Sequence, residues 1–126
     1  MFYYLANPYG GSDELRKERF EKCCKAISIL LRNDIKTISP VVHNHSMTEV
    51  AKDWTLEERQ ALLLPFDFSL LEHASGMILL TLDGWEESFG VKEEIKFCEG
   101  RGIKIYKITY DEIINDIDKL KSLLQG

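Results

Sequence analysis

The chain contains 126 residues, a length that fits one domain spanning residues 1–126. Hydrophobic residues make up 44% of it and only three residues are proline, so the chain can bury a core and is not expected to be disordered. The formal net charge of −5 argues against a nucleic-acid or anionic-membrane partner, because both favour basic surfaces. A small phosphorylated ligand is compatible with this charge, since local basic clusters can form in an acidic chain.

The cysteine content and the hydropathy pattern bear on the cellular compartment. Three cysteines without regular spacing, Cys23, Cys24 and Cys98, are not typical of a disulfide scaffold and predict buried, reduced thiols. No stretch is long enough to cross a bilayer, and residues 1–5 lack a basic leader. We therefore expect a cytoplasmic protein.

The first half of the chain predicts two strands with a helix between them. Residues 2–6 form a short apolar run that predicts a buried strand, and the turn-rich segment 7–11 follows it. Ser12 is a favourable helix N-cap, after which apolar residues recur at helical spacing. Residues 35–39 predict the second strand. Residues 40–53 are polar and irregular, and we expect a loop there.

The second half continues the alternation. Residues 55–58 match a capping box before a short helix, and Pro65 is expected to restart a helical turn rather than to lie inside a continuous helix. The predicted elements that follow are a strongly apolar strand at 77–82, a loop at 83–89, a helix at 90–101 closed by Gly102, a strand at 103–108 and an amphipathic helix at 110–124.

Alternation of strands and helices with short connections predicts an α/β fold. The expected arrangement is three-layered, α/β/α, with a parallel sheet between two layers of helices. Ligands of such sheets bind beyond the carboxyl ends of the strands. Three predicted loops meet at that edge: 7–11, 40–53 and 83–89. Functional residues are therefore expected in these loops and in the helices that follow them.

Two carboxylates are the first candidates for chemistry. Glu94 lies about 60° from Val91 around its predicted helix, at the margin of the apolar face, whereas Glu93 lies about 160° away. A carboxylate beside the core near the ligand edge needs a partner or a function. The pattern alone favours a boundary glutamate whose carboxylate reaches solvent. Asp67 is predicted in the first turn of a short helix, where it either stabilises the helix start or acts as a second carboxylate near Glu94.

Other candidates carry weaker signals. Residues 7–11 read N-P-Y-G-G before a helix start, which suits either an anion or a plain turn, and they match neither a dinucleotide fingerprint nor a P-loop. His43 and His45 have metal-ligand spacing but no third ligand, so they are a substrate-facing pair or solvated loop histidines. Trp54 and Trp85 either stack on a base or cover the core.

Four segments resemble the nucleoside 2-deoxyribosyltransferase-like family. Residues 4–9, Y-L-A-N-P-Y, resemble its Y-L-A-G-P start, and residues 39–40, S-P, are similar to its step after the second strand. Asp67 precedes the strand at residue 77 by ten residues, where the family carries an aspartate. Residues 88–95, S-F-G-V-K-E-E-I, look like its S-x-G-V/T-x-x-E-I/L segment. The resemblance spans nearly the whole chain in the right order.

Two narrower groups share further motifs with the chain. A branch of small proteins in that family has Y-L-A-x-P-Y, S-P-x-x-H-x-H and G-W-x-x-S-x-G-V. The serine two residues before the glycine, Ser88 in this chain, is similar to one in the 2′-deoxynucleoside 5′-monophosphate N-glycosidases, where it helps to bind the phosphate. The resemblance implies a Rossmann- or flavodoxin-like parallel sheet of four to five strands.

The activity implied by this resemblance is cleavage or transfer at the N-glycosidic bond of a nucleoside or nucleoside 5′-monophosphate. Glu94 would be the nucleophile that forms a glycosyl ester, and Tyr4 would orient it. Asp67 would hold the sugar or help to protonate the leaving base. Residues implied to bind substrate are Asn7, Pro8, Tyr9, Gly10, Gly11, His43, Ser88 and Gly90. The resemblance implies no metal and no organic cofactor.

The chain also departs from the family pattern. Asn7 and Lys96 replace glycines, and Glu86-Glu87 stands where many transferases carry an aspartate. Family sites are often completed by a neighbouring subunit, so we expect a homodimer or a larger homo-oligomer whose ligand is a nucleoside or nucleotide. A second hypothesis is a non-catalytic module of the same fold that binds or senses a nucleotide. The presence of both Glu94 and Asp67 favours the enzyme.

Overall fold

Strands and helices alternate along the computed structural model, which describes residues 1–126. The four strands are β1 (Tyr3–Ala6), β2 (Thr37–Ile38), β3 (Met77–Leu80) and β4 (Ile105–Ile108). The helices are α1 (Asp13–Arg32), α2 (Pro40–Val50), α3 (Leu56–Glu58), α4 (Leu64–Glu72), α5 (Phe89–Arg101), α6 (Tyr110–Asn115) and α7 (Ile117–Gln125). None of these helices is both long enough and apolar enough to span a membrane.

The four strands form one parallel sheet in the order β2-β1-β3-β4, which confirms the predicted α/β class. The chain moves from β1 to β2 on one side and then to β3 on the other side of β1. This change of direction makes a topological switch point between β1 and β3, and a crevice opens there beyond the carboxyl ends of both strands. The residues that follow Ala6 and Leu80 are therefore placed to form a ligand site.

Side chains of the central strands alternate between two cores. Leu5, Ile78 and Leu80 face a core that includes residues of α1, α6 and α7. Tyr4 and Leu79 face a second core that includes residues of α4 and α5. Because successive strand residues point to opposite faces, this alternation produces the predicted three layers.

Several helix boundaries follow directly from the local sequence. The side chains of Ser12, Thr55 and Thr109 each accept a hydrogen bond from a backbone amide of the helix that they precede. Thr55 and Thr109 complete capping boxes with the glutamates three residues later. Gly102 ends α5 with a φ of 69°, a conformation that glycine adopts without steric cost. The predicted N-caps at residues 12 and 55 and the glycine stop are confirmed.

The prediction of a loop at 40–53 is wrong, because Pro40–Val50 is the helix α2. Ser39 accepts a hydrogen bond from the amide of Val42, and Pro40 occupies the first helical turn, where its missing N–H is not needed. The segment carries no strong apolar period, since α2 lies at the edge of the core and buries only Pro40 and Thr48. Tertiary packing stabilises a helix that the pattern does not reveal.

Two further expectations need correction. Residues 56–72 are helical throughout, with a wide π turn at Arg59–Leu63 that joins α3 to α4. Pro65 does lie in the first turn of α4, as predicted, but the π turn before it keeps the segment helical without a break. The single helix expected at 110–124 is divided into α6 and α7 at Asp116, whose φ of −149° and ψ of 52° are not helical.

Candidate functional site

A cavity of about 1010 Å³ opens at the carboxyl edge of the sheet, beside the switch point. Its wall is built from the end of β1 with the loop after it, the first turns of α1, the helix α2, the helical segment 56–67 and the start of α5. This volume lies at the upper end of the usual range for small-molecule sites. The cavity therefore has the position and size expected of a ligand site.

Glu94 lies in the wall of this cavity, in the second turn of α5. Its residue surface is only 6% exposed, and its Oε2 accepts a hydrogen bond from the hydroxyl of Tyr4. Tyr4 is fully buried on β1. The pattern-based expectation of a carboxylate that reaches solvent is therefore wrong, because the side chain is buried and bonded to Tyr4 of β1.

Burial changes the acidity of this pair. Burial raises the pKa of Glu94 to about 8. The hydrogen bond from Tyr4 opposes this rise, and the charge of Asp67 adds to it. Burial, together with the charge of Glu94, holds the pKa of Tyr4 well above its usual value. Tyr4 is therefore a neutral hydrogen-bond donor to whichever form of Glu94 is present.

Asp67 lies in the first turn of α4 and lines the same cavity. Its Oδ1 accepts a hydrogen bond from Nδ2 of Asn44, at 3.2 Å. Burial raises the pKa of Asp67 to about 6, although the hydrogen bond from Asn44 and the charge of His43 both oppose this rise. The two carboxyl groups predicted to act together thus share one cavity, and each titrates above its ordinary range.

The loop after β1 supplies an unpaired acceptor. Asn7 is 4% exposed, and its Nδ2 donates to the carbonyl oxygen of Pro8 at 2.9 Å. Its Oδ1 is buried without a hydrogen-bond partner and belongs to a residue of the cavity wall. An unpaired buried acceptor is costly, so a donor on a ligand would relieve it. A glycine at this position would provide no such acceptor.

Further along this loop, Gly10 and Gly11 also line the cavity. Gly11 has a φ of 122°, and a Cβ there would lie 2.9 Å from a Leu15 methyl group. Arg19 joins this loop to the loop after β3, since its guanidinium donates to the carbonyl oxygens of Gly10 and Asp83 at 2.8 and 2.7 Å. The two loops that enclose this end of the cavity are thus held together by one side chain.

Ser88 and Gly90 line the cavity at the start of α5. The Oγ of Ser88 accepts a hydrogen bond from the amide of Val91 at 3.3 Å and so caps the helix. Its hydroxyl hydrogen is still available to donate to a ligand. A helix start with an available donor suits an anionic group.

Not every predicted residue reaches the cavity. Tyr9 does line it, but Pro8 is buried outside the wall, and Tyr4 lies behind Glu94. His43 is exposed on α2, where its ring packs against that of Phe66 at 5.2 Å between centroids, and it is not a wall residue. The expectation that His43 faces the substrate is therefore not met.

The two tryptophans and His45 also differ in whether they line the cavity. Trp54 lines the cavity, whereas Trp85 packs against the core on the α4 and α5 side of the sheet. His45 lies in α2 and contacts Tyr9 and Phe20 instead of a metal ligand set. Residues 1–126 contain no group of three or more His, Cys, Asp or Glu side chains able to hold a metal ion.

Of the wall residues that are absent from the sequence-based candidates, four bear directly on ligand binding. Arg16, Arg19 and Arg59 line the cavity, and Asn44 holds Asp67. Arg16 and Arg19 are three residues apart on α1, so their side chains share one helix face just after the ligand-edge loop. That spacing is a signal that sequence reasoning could have used. Arg59 and Asn44 gave no comparable signal, because α2 and the π turn were not predicted.

The fold and the cavity define a parallel α/β protein with a carboxyl-lined ligand site at the switch point of its sheet. The chain belongs to the family described as a domain of unknown function (DUF1937), which matches residues 2–110. The matched range includes every cavity residue named above, from Asn7 to Glu94. Comparison with curated proteins gave no match.

Proposed function

We propose that the protein cleaves or transfers at the N-glycosidic bond of a (deoxy)nucleoside or nucleoside 5′-monophosphate, with Glu94 as the nucleophile. The observation that carries this proposal is the buried Tyr4–Glu94 hydrogen bond in the wall of a cavity that Asp67 also lines. A buried carboxyl group held by one donor, with a second carboxyl group in the same cavity, is the arrangement that two-step glycosyl transfer requires.

In the first step, a carboxylate oxygen of Glu94 attacks the anomeric carbon, and the bond from that carbon to the base nitrogen breaks. The electron pair stays on the base, which takes up a proton. Asp67 either supplies this proton or binds a sugar hydroxyl, and its pKa of about 6 keeps both roles available near neutral pH. The product of the step is a glycosyl ester of Glu94 and a free base.

In the second step, water or an acceptor base attacks the same carbon. The ester bond to Glu94 breaks, its carboxylate is regenerated, and the incoming group loses a proton. Tyr4 donates a hydrogen bond to the carboxylate that forms. Water gives a hydrolase and an acceptor base gives a transferase, and both share the first step.

Recognition of the sugar and phosphate follows from the remaining wall residues. The unpaired Oδ1 of Asn7 can accept from a hydroxyl group. The hydroxyl of Ser88 and the backbone amides of Gly10 and Gly11 are the proposed donors to a 5′-phosphate. As part of the proposal we place the protein in the cytoplasm, in keeping with the free thiols of all three cysteines.

The proposal predicts release of free base that depends on Glu94. The protein is incubated with nucleosides and their 5′-monophosphates, with and without a free acceptor base, and the products are separated by chromatography. We expect Glu94→Gln to abolish base release while folding and nucleotide binding persist, because the amide keeps the shape but cannot form the glycosyl ester.

Glu93→Gln is the matched control, since Glu93 is adjacent on α5 but outside the cavity wall and pairs with Lys96 at the surface. Equal release by Glu94→Gln and wild type would remove Glu94 from the mechanism. A new nucleoside formed only with acceptor would define a transferase. Nucleotide binding without any product across the panel would instead favour the non-catalytic binding module.

A further inference from the structure

Three arginine side chains contribute positive charge to the cavity wall. Arg16, Arg19 and Arg59 all line it. The guanidinium of Arg19 already donates to two backbone carbonyl oxygens, as described above. Arg16 is paired only with Asp13, whose side chain is 92% exposed, so that pairing is weak. Arg59 has no carboxylate partner at all.

Arg59 shows the clearest unmet hydrogen-bonding capacity. Its Nε is buried and has no acceptor, although the residue as a whole is half-buried. A buried guanidinium donor without an acceptor costs free energy that an oxyanion would recover, and the planar guanidinium suits phosphate or carboxylate. Arg59 also begins the π turn at Arg59–Leu63, and such turns occur frequently at functional sites.

Arg59 and Asp67 lie at different heights along one helical segment. Arg59 precedes Asp67 by eight residues in a continuous helical segment, which separates the two by about 12 Å along the helix axis. We take an anion held by Arg59 to belong to a different part of the ligand from the group that Asp67 contacts. The remaining acidic wall residue, Glu87, is exposed on the loop before α5.

Tyr9 lines the same cavity as Arg16 and Arg59. Burial raises the pKa of Tyr9, and the positive charges of the two arginines oppose this rise. The hydroxyl of Tyr9 lies 2.5 Å from Nδ1 of His45. With the hydrogen of this contact on Nδ1, the hydroxyl of Tyr9 is available to donate into the cavity.

His45 is itself fixed on the side away from the cavity. Its ring stacks on Phe20 with 4.0 Å between centroids, and its Nε2 lies 3.7 Å from a carboxylate oxygen of Glu49. Phe20 and His45 thus hold Tyr9 in place between α1 and α2. We call Arg16, Arg59 and Tyr9 the anion subsite.

We propose that the anion subsite binds a second anionic group of the ligand, a phosphate or a carboxylate, in addition to a 5′-phosphate at the Ser88 end. The substrate class is then a nucleotide with two separated anionic groups. This identification of the substrate rests on the proposed function, whereas the existence of the subsite rests on the wall residues alone.

Two matched ligand pairs test the subsite by titration calorimetry. Uridine 5′-monophosphate and orotidine 5′-monophosphate differ by one carboxylate on the base. Adenosine 5′-monophosphate and adenosine 3′,5′-bisphosphate differ by one phosphate on the sugar. Each ligand is titrated into wild-type protein and into Glu94→Gln, in which the proposed turnover is blocked. We expect the doubly anionic member of one pair to bind at least about tenfold more tightly than its partner.

Substitutions test whether the anion subsite causes the tighter binding of the doubly anionic ligand. Arg59→Met is expected to remove the preference while leaving the monophosphate affinity within about twofold, and Arg16→Met tests the same subsite from a different helix if Arg59→Met fails to fold. Arg32→Met, at the exposed end of α1 outside the cavity, is expected to keep the full preference. The pair that responds identifies the second anion as a base carboxylate or a sugar phosphate.

The results separate this inference from the proposed function. A preference that is lost in Arg59→Met supports the subsite even when no base is released. Equal binding within both pairs overturns the subsite, even when base release depends on Glu94. A preference that survives in both arginine variants also overturns it.

Discussion

At the scale of single residues, Glu94 combines two opposing requirements. Its carboxyl group is buried, which favours the neutral form, yet the proposed reaction needs the carboxylate. The hydroxyl of Tyr4 lowers the cost of ionising Glu94 because it donates a hydrogen bond to Oε2 of the carboxylate. A carboxylate with few water contacts is also a less strongly solvated nucleophile. Tyr4 therefore adjusts how much of Glu94 is reactive at a given pH.

The dependence of kcat/KM on pH tests this role. Because the reactive form of Glu94 is the carboxylate and its pKa is about 8, base release is expected to rise with pH through about 8 in the wild type when Asp67 binds a sugar hydroxyl. If Asp67 instead supplies the proton, its pKa of about 6 makes the rise level off near pH 6. Tyr4→Phe removes the hydrogen bond that lowers the pKa of Glu94, so a rising limb set by Glu94 is expected to move to higher pH and the rate at pH 7 to fall.

Tyr3→Phe is the control for this measurement, since Tyr3 is the neighbouring strand residue and its ring packs against Tyr106 on the opposite face of the sheet. The rising limb of the pH profile of Tyr3→Phe is expected to match that of the wild type. A limb set by Glu94 that stays in place or moves to lower pH in Tyr4→Phe would show that the Tyr4 hydroxyl does not stabilise the carboxylate.

At the scale of secondary-structure elements, three short polar side chains start the helices that surround the cavity. Ser12 caps α1, Ser39 caps α2 and Ser88 caps α5. Each accepts one backbone hydrogen bond, which contributes about 1 kcal/mol to stability. Ser88 differs from Ser12 because it also lines the cavity. The same side chain can therefore stabilise a helix and bind a ligand.

Replacing Ser12 and Ser88 by alanine separates the capping role from the ligand-binding role. Ser12→Ala and Ser88→Ala are each expected to lower the free energy of unfolding by about 1 kcal/mol, measured by urea denaturation. Only Ser88→Ala is expected to raise KM for a nucleoside 5′-monophosphate, and it should leave KM for the corresponding nucleoside unchanged. Identical kinetic effects of the two variants would exclude Ser88 from phosphate binding.

At the scale of the whole molecule, several large apolar side chains in the cavity wall or on the helical segment next to it are exposed. Leu56 and Phe89 belong to its wall and are 71% and 51% exposed, and Leu62 and Phe66 are exposed on the adjoining helical segment. Neighbouring exposed apolar groups of this kind are typical of interaction surfaces. We propose that a second copy of the chain covers this surface.

Light scattering coupled to size-exclusion chromatography tests the assembly. We expect the mass of a homodimer or a larger homo-oligomer, because association would bury these side chains. Leu56→Lys is expected to shift the population towards monomer, whereas Leu31→Lys, on an exposed position of α1 away from the cavity, should not. A monomeric mass for the wild type would contradict the proposed assembly.

The sequence by itself determined the elements whose signals are local. Apolar runs predicted β1 and β3, and the polar caps at Ser12 and Thr55 and the glycine at residue 102 predicted helix ends. Local signals were sufficient because caps and strand alternation depend on neighbouring residues. The order of elements then predicted the parallel sheet and the edge at which the cavity lies.

Only the tertiary structure decided which side chains form the site. Glu94 is a boundary residue by its position on the helix, yet it is buried and bonded to Tyr4, which lies 90 positions away in the chain. The helix α2 has no strong apolar period, and Arg59 begins a π turn that no local pattern predicted. Burial, unpaired donors and shared cavities depend on contacts between segments far apart in the chain, and no local pattern records those contacts.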